Sequence, residues 1–261
     1  MPRLLRWLMA TAVAATGLFA GTAAEAKTIP GGLPTVQDAT SVVPIMWEGQ
    51  VWGARMSPAV HQGPAPNYWL ATPDTVFTDS AGNLHLVAKN VGGTWYSAGI
   101  TSIKSDYGYG TYRYVVETPL DTFDPMAVVG MFTYNNNTPS GHQEIDVELS
   151  RWGQPSPAAA NTQFVIQPWR VGNNLRRFVA PTDRALTYEW TWTPAYVLFK
   201  VLDGTTPDAP VIKKWKANAP PKPSSGTKVH LNLWWQRGQP PYSNQQQSVT
   251  FSSFTYEPAT S

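Results

Sequence analysis

Glu144, Asp146 and Glu148 stand at strict two-residue spacing in the stretch Gly141 to Gly153, GHQEIDVELSRWG, with Ile145, Val147 and Leu149 between them. A strand points successive side chains to opposite faces, so the three acids share one face and the three apolar residues share the other. Like charges at neighbouring same-face positions repel, and the segment supplies no base before Arg151. Three readings are open. One is a solvated acidic face. Another is a cation site, although hard cations usually take carboxylates from loops that add backbone carbonyls. The third is a pair of carboxyls flanking a glycosidic bond, their pKa values driven apart by environment. A retaining reaction needs carboxyls about 5–5.5 Å apart. Alternate strand residues lie roughly 6.6 Å apart at Cα, and i,i+4 residues roughly 13 Å. A bent sheet with inward-leaning side chains is therefore required if Glu144 and Glu148 are to act on one bond.

The elements that must carry these acids read as strands. Asn83 to Asn90, Gly110 to Glu117, Ala127 to Tyr134, Gln143 to Leu149, Gln163 to Gln167, Leu186 to Trp192, Tyr196 to Leu202, Val229 to Trp235 and Val249 to Tyr256 are short, β-branched or aromatic runs between turn residues. No amphipathic helix and no repeat of solenoid or propeller period is evident. Two packed antiparallel sheets are expected. Period-two phasing puts Leu231 and Leu233 opposite His230, Asn232 and Trp234. It puts Phe164 and Ile166 opposite Gln163, Val165 and Gln167, and Phe132 and Tyr134 beside Gly130. If these strands join the acidic one, its outer face is a trough of carboxylates, amides, imidazole and rings, the chemistry that binds a sugar.

Composition narrows the class. Aromatics make up 12% of the chain with 12 Trp, against only 14% charged residues, which suits stacking on a weakly charged ligand as well as a Trp-rich core. Arg3 and Arg6 precede an apolar run ending in Ala24-Glu25-Ala26, so residues 1–26 read as a secretory signal and 27–44 as a loosely held leader. Removing Arg3, Arg6 and Glu25 leaves a net charge of +1, with no electrostatic footprint for nucleic acid or an anionic membrane. The absence of cysteine excludes disulfides, thiolate metal sites and Cys nucleophiles.

Glu144-Ile145-Asp146-Val147-Glu148, with Tyr107-Gly108-Tyr109-Gly110-Thr111-Tyr112 and Phe132-Thr133-Tyr134 upstream and Tyr188-Glu189-Trp190 and Leu231-Asn232-Leu233-Trp234 downstream, resembles glycoside hydrolase family 16. The likeness runs from about Trp47 to Tyr256 and is greatest to its licheninase and xyloglucan-transglycosylase branch. It implies a concanavalin A-like all-β jelly-roll of two curved antiparallel sheets over residues 45–257, with an open cleft. It also implies a retaining endo-acting hydrolase of a β-linked polysaccharide, with Glu144 as nucleophile, Glu148 as general acid and base, and Asp146 tuning both. Substrate contacts are expected from Phe132, Tyr134, His142, Gln163, Gln167, Asn232 and Trp234, with no cofactor, no metal, no nucleic acid, no membrane after signal removal, and a monomeric state. The same site could serve a transglycosylase, and the same fold a lectin-like binder. The chain departs from licheninases in having His142-Gln143 rather than Trp-Asp before the nucleophile, and Gly99 to Ser102 where a Glu-x-Arg pair is usual. Their calcium-holding aspartate is replaced at about Ser252.

Overall fold

A computed structural model describes residues 27–29, 33–35, 42–138 and 141–260. The expected signal segment 1–26 lies outside them, as do residues 30–32 and 36–41 of the leader. Among the described residues the structure is a β-sandwich with only short 3-10 turns between strands, and no helix is long and apolar enough to cross a membrane. One sheet runs in the order Val42–Trp47, Gln50–Arg55, Thr94–Ser102, Lys228–Trp235, Ala127–Tyr134, Ile145–Leu149, Thr162–Ile166, Leu175–Phe178, every neighbour antiparallel. The other runs Val76–Thr78, Leu84–Val91, Gln247–Pro258, Gly110–Val116, Leu186–Trp192, Tyr196–Leu202, Val211–Asn218. The hairpin of Leu84–Val91 with Thr94–Ser102 ties the two together. These are the two packed antiparallel sheets that the strand pattern implies, joined as the jelly-roll sandwich that the resemblance implies.

The sheets close on one another through the apolar phase of each strand. Ile145, Val147 and Leu149 of the acidic strand are almost wholly buried, as are Val129 and Met131 beside them and Leu231 and Leu233 beyond. Rings bridge the layers. Phe164 stacks on Phe199 with centroids 4.9 Å apart, and Trp52 meets Phe254 edge-on at 5.6 Å. Within the second sheet Trp190 lies between Tyr112 and Tyr114 in stacked pairs at 5.0 and 5.1 Å. Aromatic pairs of this kind add to area burial and fill a broad interface with few side chains. The Trp-rich composition therefore serves mainly the core: Trp47, Trp52, Trp190, Trp192 and Trp235 are all buried there. Trimming one methyl from this layer has a measurable cost. Ile145→Val is expected to lower stability by about 0.5–1.5 kcal/mol, read as a fall of a few degrees in the thermal midpoint with activity retained.

Two sequence expectations about boundaries change. The strand expected from Gln143 begins at Ile145, because Gly141–Gln143 forms a 3-10 turn in which His142 and Gln143 have φ of 47° and 54°. The last residues of the 27–44 leader, Val42 to Pro44, pair with Gly53 to Arg55. Thr94–Ser102 is a site-sheet strand that the sequence reading passes over, since its small residues Ser97, Ala98 and Gly99 carry little β-propensity.

Candidate active site

Register sets the floor of the cleft. Glu148 faces Gly130 on one neighbour and Gln163 on the other, while Asp146 faces Phe132 and Val165. The rows extend outward: Gly130 pairs with Asn232 and Phe132 with His230, and these pair with Gly99 and Thr101 in turn. Beyond Glu148, Gln163 pairs with Arg177. A cleft of about 990 Å³ opens over this face, lined by Glu144, Asp146, Glu148, Phe132, Tyr134, Asn232 and Trp234 among others. Phe132 stacks on His230 at 4.9 Å and 13°, giving flat ring surface next to the acids. Gly130 is required there: a Cβ would lie 2.4 Å from Asn232 Oδ1. That oxygen is buried without a protein partner, a demand that a sugar hydroxyl can satisfy.

The three carboxyls have different partners. Burial raises Glu144 to about 7, with the hydrogen bond to Asp146 pulling it down and Glu148 pushing it up. Asp146 is raised well above the carboxylate range by burial and then by the charges of Glu144 and Glu148. Its raised affinity favours the protonated form, which can donate a hydrogen bond to an ionised Glu144. Burial raises Glu148 to about 7, moderated by Gln163 and then Arg177. Gln163 Nε2 donates to Glu148 Oε2 at 2.5 Å and Arg177 Nε donates to Gln163 Oε1 at 2.6 Å. Glu148 Oε2 is thus engaged, and Oε1 is left to carry a transferable proton. This is the division expected of a nucleophile and an acid: similar groups given different neighbours. Among the described residues no group of three or more His, Cys, Asp or Glu is placed to hold a metal ion.

The sequence model of Glycosyl hydrolases family 16 matches residues 65–253. The chain belongs to this family. It is a glycoside hydrolase, built on the family's sandwich. Solved structures similar to it include a Bacillus licheniformis β-glucanase, 18% identical with a TM-score of 0.63, covering 85% of this chain and 100% of that one. A lichenase derived from a mouse hindgut metagenome is 18% identical with a TM-score of 0.60, covering 82% and 96%. An immunostimulatory antigen of Mycobacterium tuberculosis, described as a pseudo β-1,3-glucanase, is 16% identical with a TM-score of 0.55, covering 80% and 91%. A comparison with curated protein sequences finds no match.

Within this family 16 cleft the residues expected to touch substrate divide into two sets. Phe132, Tyr134, Asn232 and Trp234 line the opening. Gln163 and Gln167 are instead turned onto the acids, Gln167 Nε2 lying 3.4 Å from Asp146 Oδ2. His142 stacks on Tyr134 at 4.6 Å, with Nδ1 3.3 Å from the Asn135 carbonyl oxygen. Trp234 packs with Trp69, Val128 and Trp152, so it is both wall and core.

Other site residues escape the period-two reading. Gln143, directly before Glu144, is buried, and its Oε1 accepts hydrogen bonds from Asn135, Ser224 and Thr227 at 2.9–3.0 Å. Its backbone carbonyl accepts from Thr133 Oγ1 at 2.9 Å. These bonds hold a left-handed backbone that places Glu144 just outside the regular strand, which a pattern search has no means to reveal. Arg177 is the second case: its guanidinium lies 4.9 Å over the Trp152 ring while holding Gln163.

Two smaller predictions follow from this geometry. Gly130→Ala is expected to displace Asn232 and lower kcat/KM by roughly 10–100-fold, with the circular dichroism spectrum unchanged. Arg177→Met removes the cation that favours ionised Glu148, so Glu148 should hold its proton to higher pH. The alkaline limb of the kcat/KM profile then moves upward, whereas a purely structural loss would lower the plateau and leave the limb in place.

Proposed function

We propose that this family 16 hydrolase is a secreted, retaining endo-glycosidase acting on a β-linked polysaccharide of the β-glucan type, a monomer whose single catalytic domain spans residues 45–257 behind a signal at 1–26 and a leader at 27–44 whose last residues, 42–44, join the first sheet. The observation that carries the mechanism is the placement of Glu144, Asp146 and Glu148 on one face of a ring-lined cleft, with Gln163 and Arg177 holding one oxygen of Glu148. The β-glucan choice draws on what the similar solved structures are said to act on.

In the proposed reaction the Glu144 carboxylate attacks the anomeric carbon as Glu148 transfers its proton to the leaving glycosidic oxygen, forming a glycosyl ester and a new chain end. Glu148, now ionised, takes a proton from water. That water's oxygen bonds to the anomeric carbon, and the Glu144 carboxylate departs with both groups restored. Asn232 and the rings of Phe132, Tyr134 and Trp234 bind the sugars, and Gln167 restrains Asp146.

Reducing-sugar release from lichenan, laminarin, xyloglucan, agarose, carrageenan and curdlan tests the reading beside Glu144→Gln. Release on one polymer that disappears in the variant supports it. Full release by the variant would overturn the assignment, and binding without release in the wild type would favour a lectin role.

A further inference from the structure

The carboxylates occupy only one part of the cleft. Its two cations stand apart from each other: Arg55 ends the Gln50–Arg55 strand at the far side of the sheet, Lys228 begins the Lys228–Trp235 strand opposite Tyr134, and no carboxylate beyond Glu144, Asp146 and Glu148 lines the cleft. Arg55 is half-buried, its guanidinium 3.6 Å above the Trp69 ring. Nη2 donates to the Gly63 carbonyl at 2.9 Å and reaches Gln62 Oε1 at 3.4 Å. Its Nε and Nη1 have no hydrogen-bond partner among the described residues, and neither Arg55 nor Lys228 forms an ion pair there. Burial lowers Arg55 to about 10, the mark of a cation removed from water without a counter-charge. Between the two cations and Phe132 lies His230, bonded through Nδ1 to Thr101 Oγ1 at 2.9 Å. Burial, Arg55 and Lys228 together hold it neutral, down to about 3.

Leaving a partly desolvated guanidinium without a counter-charge is costly, and protein interiors normally avoid it. Half-buried Arg113 and Lys200 are paired with Glu189, whereas half-buried Arg151, without an ion pair among the described residues, spends its guanidinium on the Phe123 and Pro155 carbonyls. The planar fork of an arginine fixed on an indole face, with donors free, suits a carboxylate or sulfate oxygen pair. The Arg55 strand is four strands from the acidic one, about 19 Å at roughly 4.8 Å per strand. A group bound there belongs to a sugar several units along the chain from the bond that breaks.

We infer that the substrate is an anionic glycan, carrying a carboxylate or sulfate on a sugar that docks against Arg55 at the side of the cleft four strands from Glu148, with Lys228 adding a second positive charge along the cleft. The inference rests on the glycosidase reading only for the kind of polymer bound. A neutral chain would leave both cations unmatched, while an anionic one supplies their counter-charge and places the next sugars across His230 and Phe132 toward the acids.

The test compares lichenan, laminarin and curdlan, each with its carboxymethylated form, by affinity electrophoresis of the full-length mature protein at low salt and at about 0.5 M salt. At least one carboxymethylated polymer is expected to bind at least about tenfold tighter than its neutral parent at low salt, with the advantage lost at high salt. Arg55→Gln with Lys228→Gln should bring the ratio close to one, and Arg55→Lys should keep part of it. Equal binding of both forms, or a preference that survives the double substitution, overturns the inference. Should no polymer be retained, sodium glucuronate is titrated against the His230 imidazole resonance: a saturable shift absent from the double variant supports the site, and no shift overturns it. Hydrolysis is scored separately. A charge preference without any hydrolysis sinks the glycosidase proposal alone, and hydrolysis with a ratio of one sinks the anion site alone.

Discussion

On the proposed mechanism, Glu144→Gln is expected to lower turnover by at least about 10⁴-fold, since removing the proposed nucleophile eliminates the covalent route and leaves only binding and the remaining acid. Glycan affinity should change little, because amide and carboxyl have the same shape. The same substitution should make the protein more stable at neutral and alkaline pH. Glu144 is raised from 4.5 to about 7 in the folded protein, so the wild type loses stability as pH rises from about 4.5 through 7 and the buried carboxyl ionises. Below pH 4.5 both folded and unfolded chains carry the proton, and variant and wild type should converge. Denaturant midpoints at pH 4 and pH 8 measure this difference; a variant less stable than wild type at pH 8 would show that the acid contributes to the fold rather than opposing it. With Ala in place of Glu144, azide should restore cleavage of an activated aryl glycoside, giving an α-glycosyl azide. That product marks direct attack at the anomeric carbon from the face that Glu144 has vacated.

Glu148→Ala should be nearly as damaging on polysaccharide, with a loss of roughly 10²–10⁴-fold, the usual contribution of a positioned general acid. The loss should shrink sharply on aryl glycosides whose leaving group departs without protonation, because glycosyl-enzyme formation then needs no acid. The second step remains slow without the base, so the covalent intermediate should accumulate and a burst of phenol should appear. Azide should again restore turnover, now giving the β-glycosyl azide, since it attacks an ester already formed on Glu144. Opposite azide anomers from the two variants would fix the roles of the two acids. The same pair of anomers in reverse order would mean that the roles are exchanged, and identical anomers would mean that the double displacement is not the course.

How much of this was written in the chain can be judged residue by residue. Alternation in Ile145 to Leu149 was enough to place Asp146 and Glu148 on one face, and the same phasing in Ala127–Tyr134 and Lys228–Trp235 correctly set Phe132, Tyr134, His230, Asn232 and Trp234 against their apolar neighbours. A period of two is a property of the local backbone, so it survives whatever the sheet does. The family likeness extended this to the layered fold. Gln163 and Gln167 were legible as outward residues, but not as partners of Glu148 and Asp146, because side-chain direction across a ladder depends on register between strands distant in sequence.

By itself, the sequence determined the face of each strand, the all-β class and the presence of three acids on one strand face, since all of these follow from local alternation and composition. Only the tertiary structure decided what surrounds each acid. Gln143 turned into the left-handed region, Arg177 brought to Gln163, and Arg55 set on Trp69 without a counter-charge all arise where separate segments meet. Burial and hydrogen bonding at those junctions give three chemically similar carboxyls their different proton affinities, and no window along the chain contains that information.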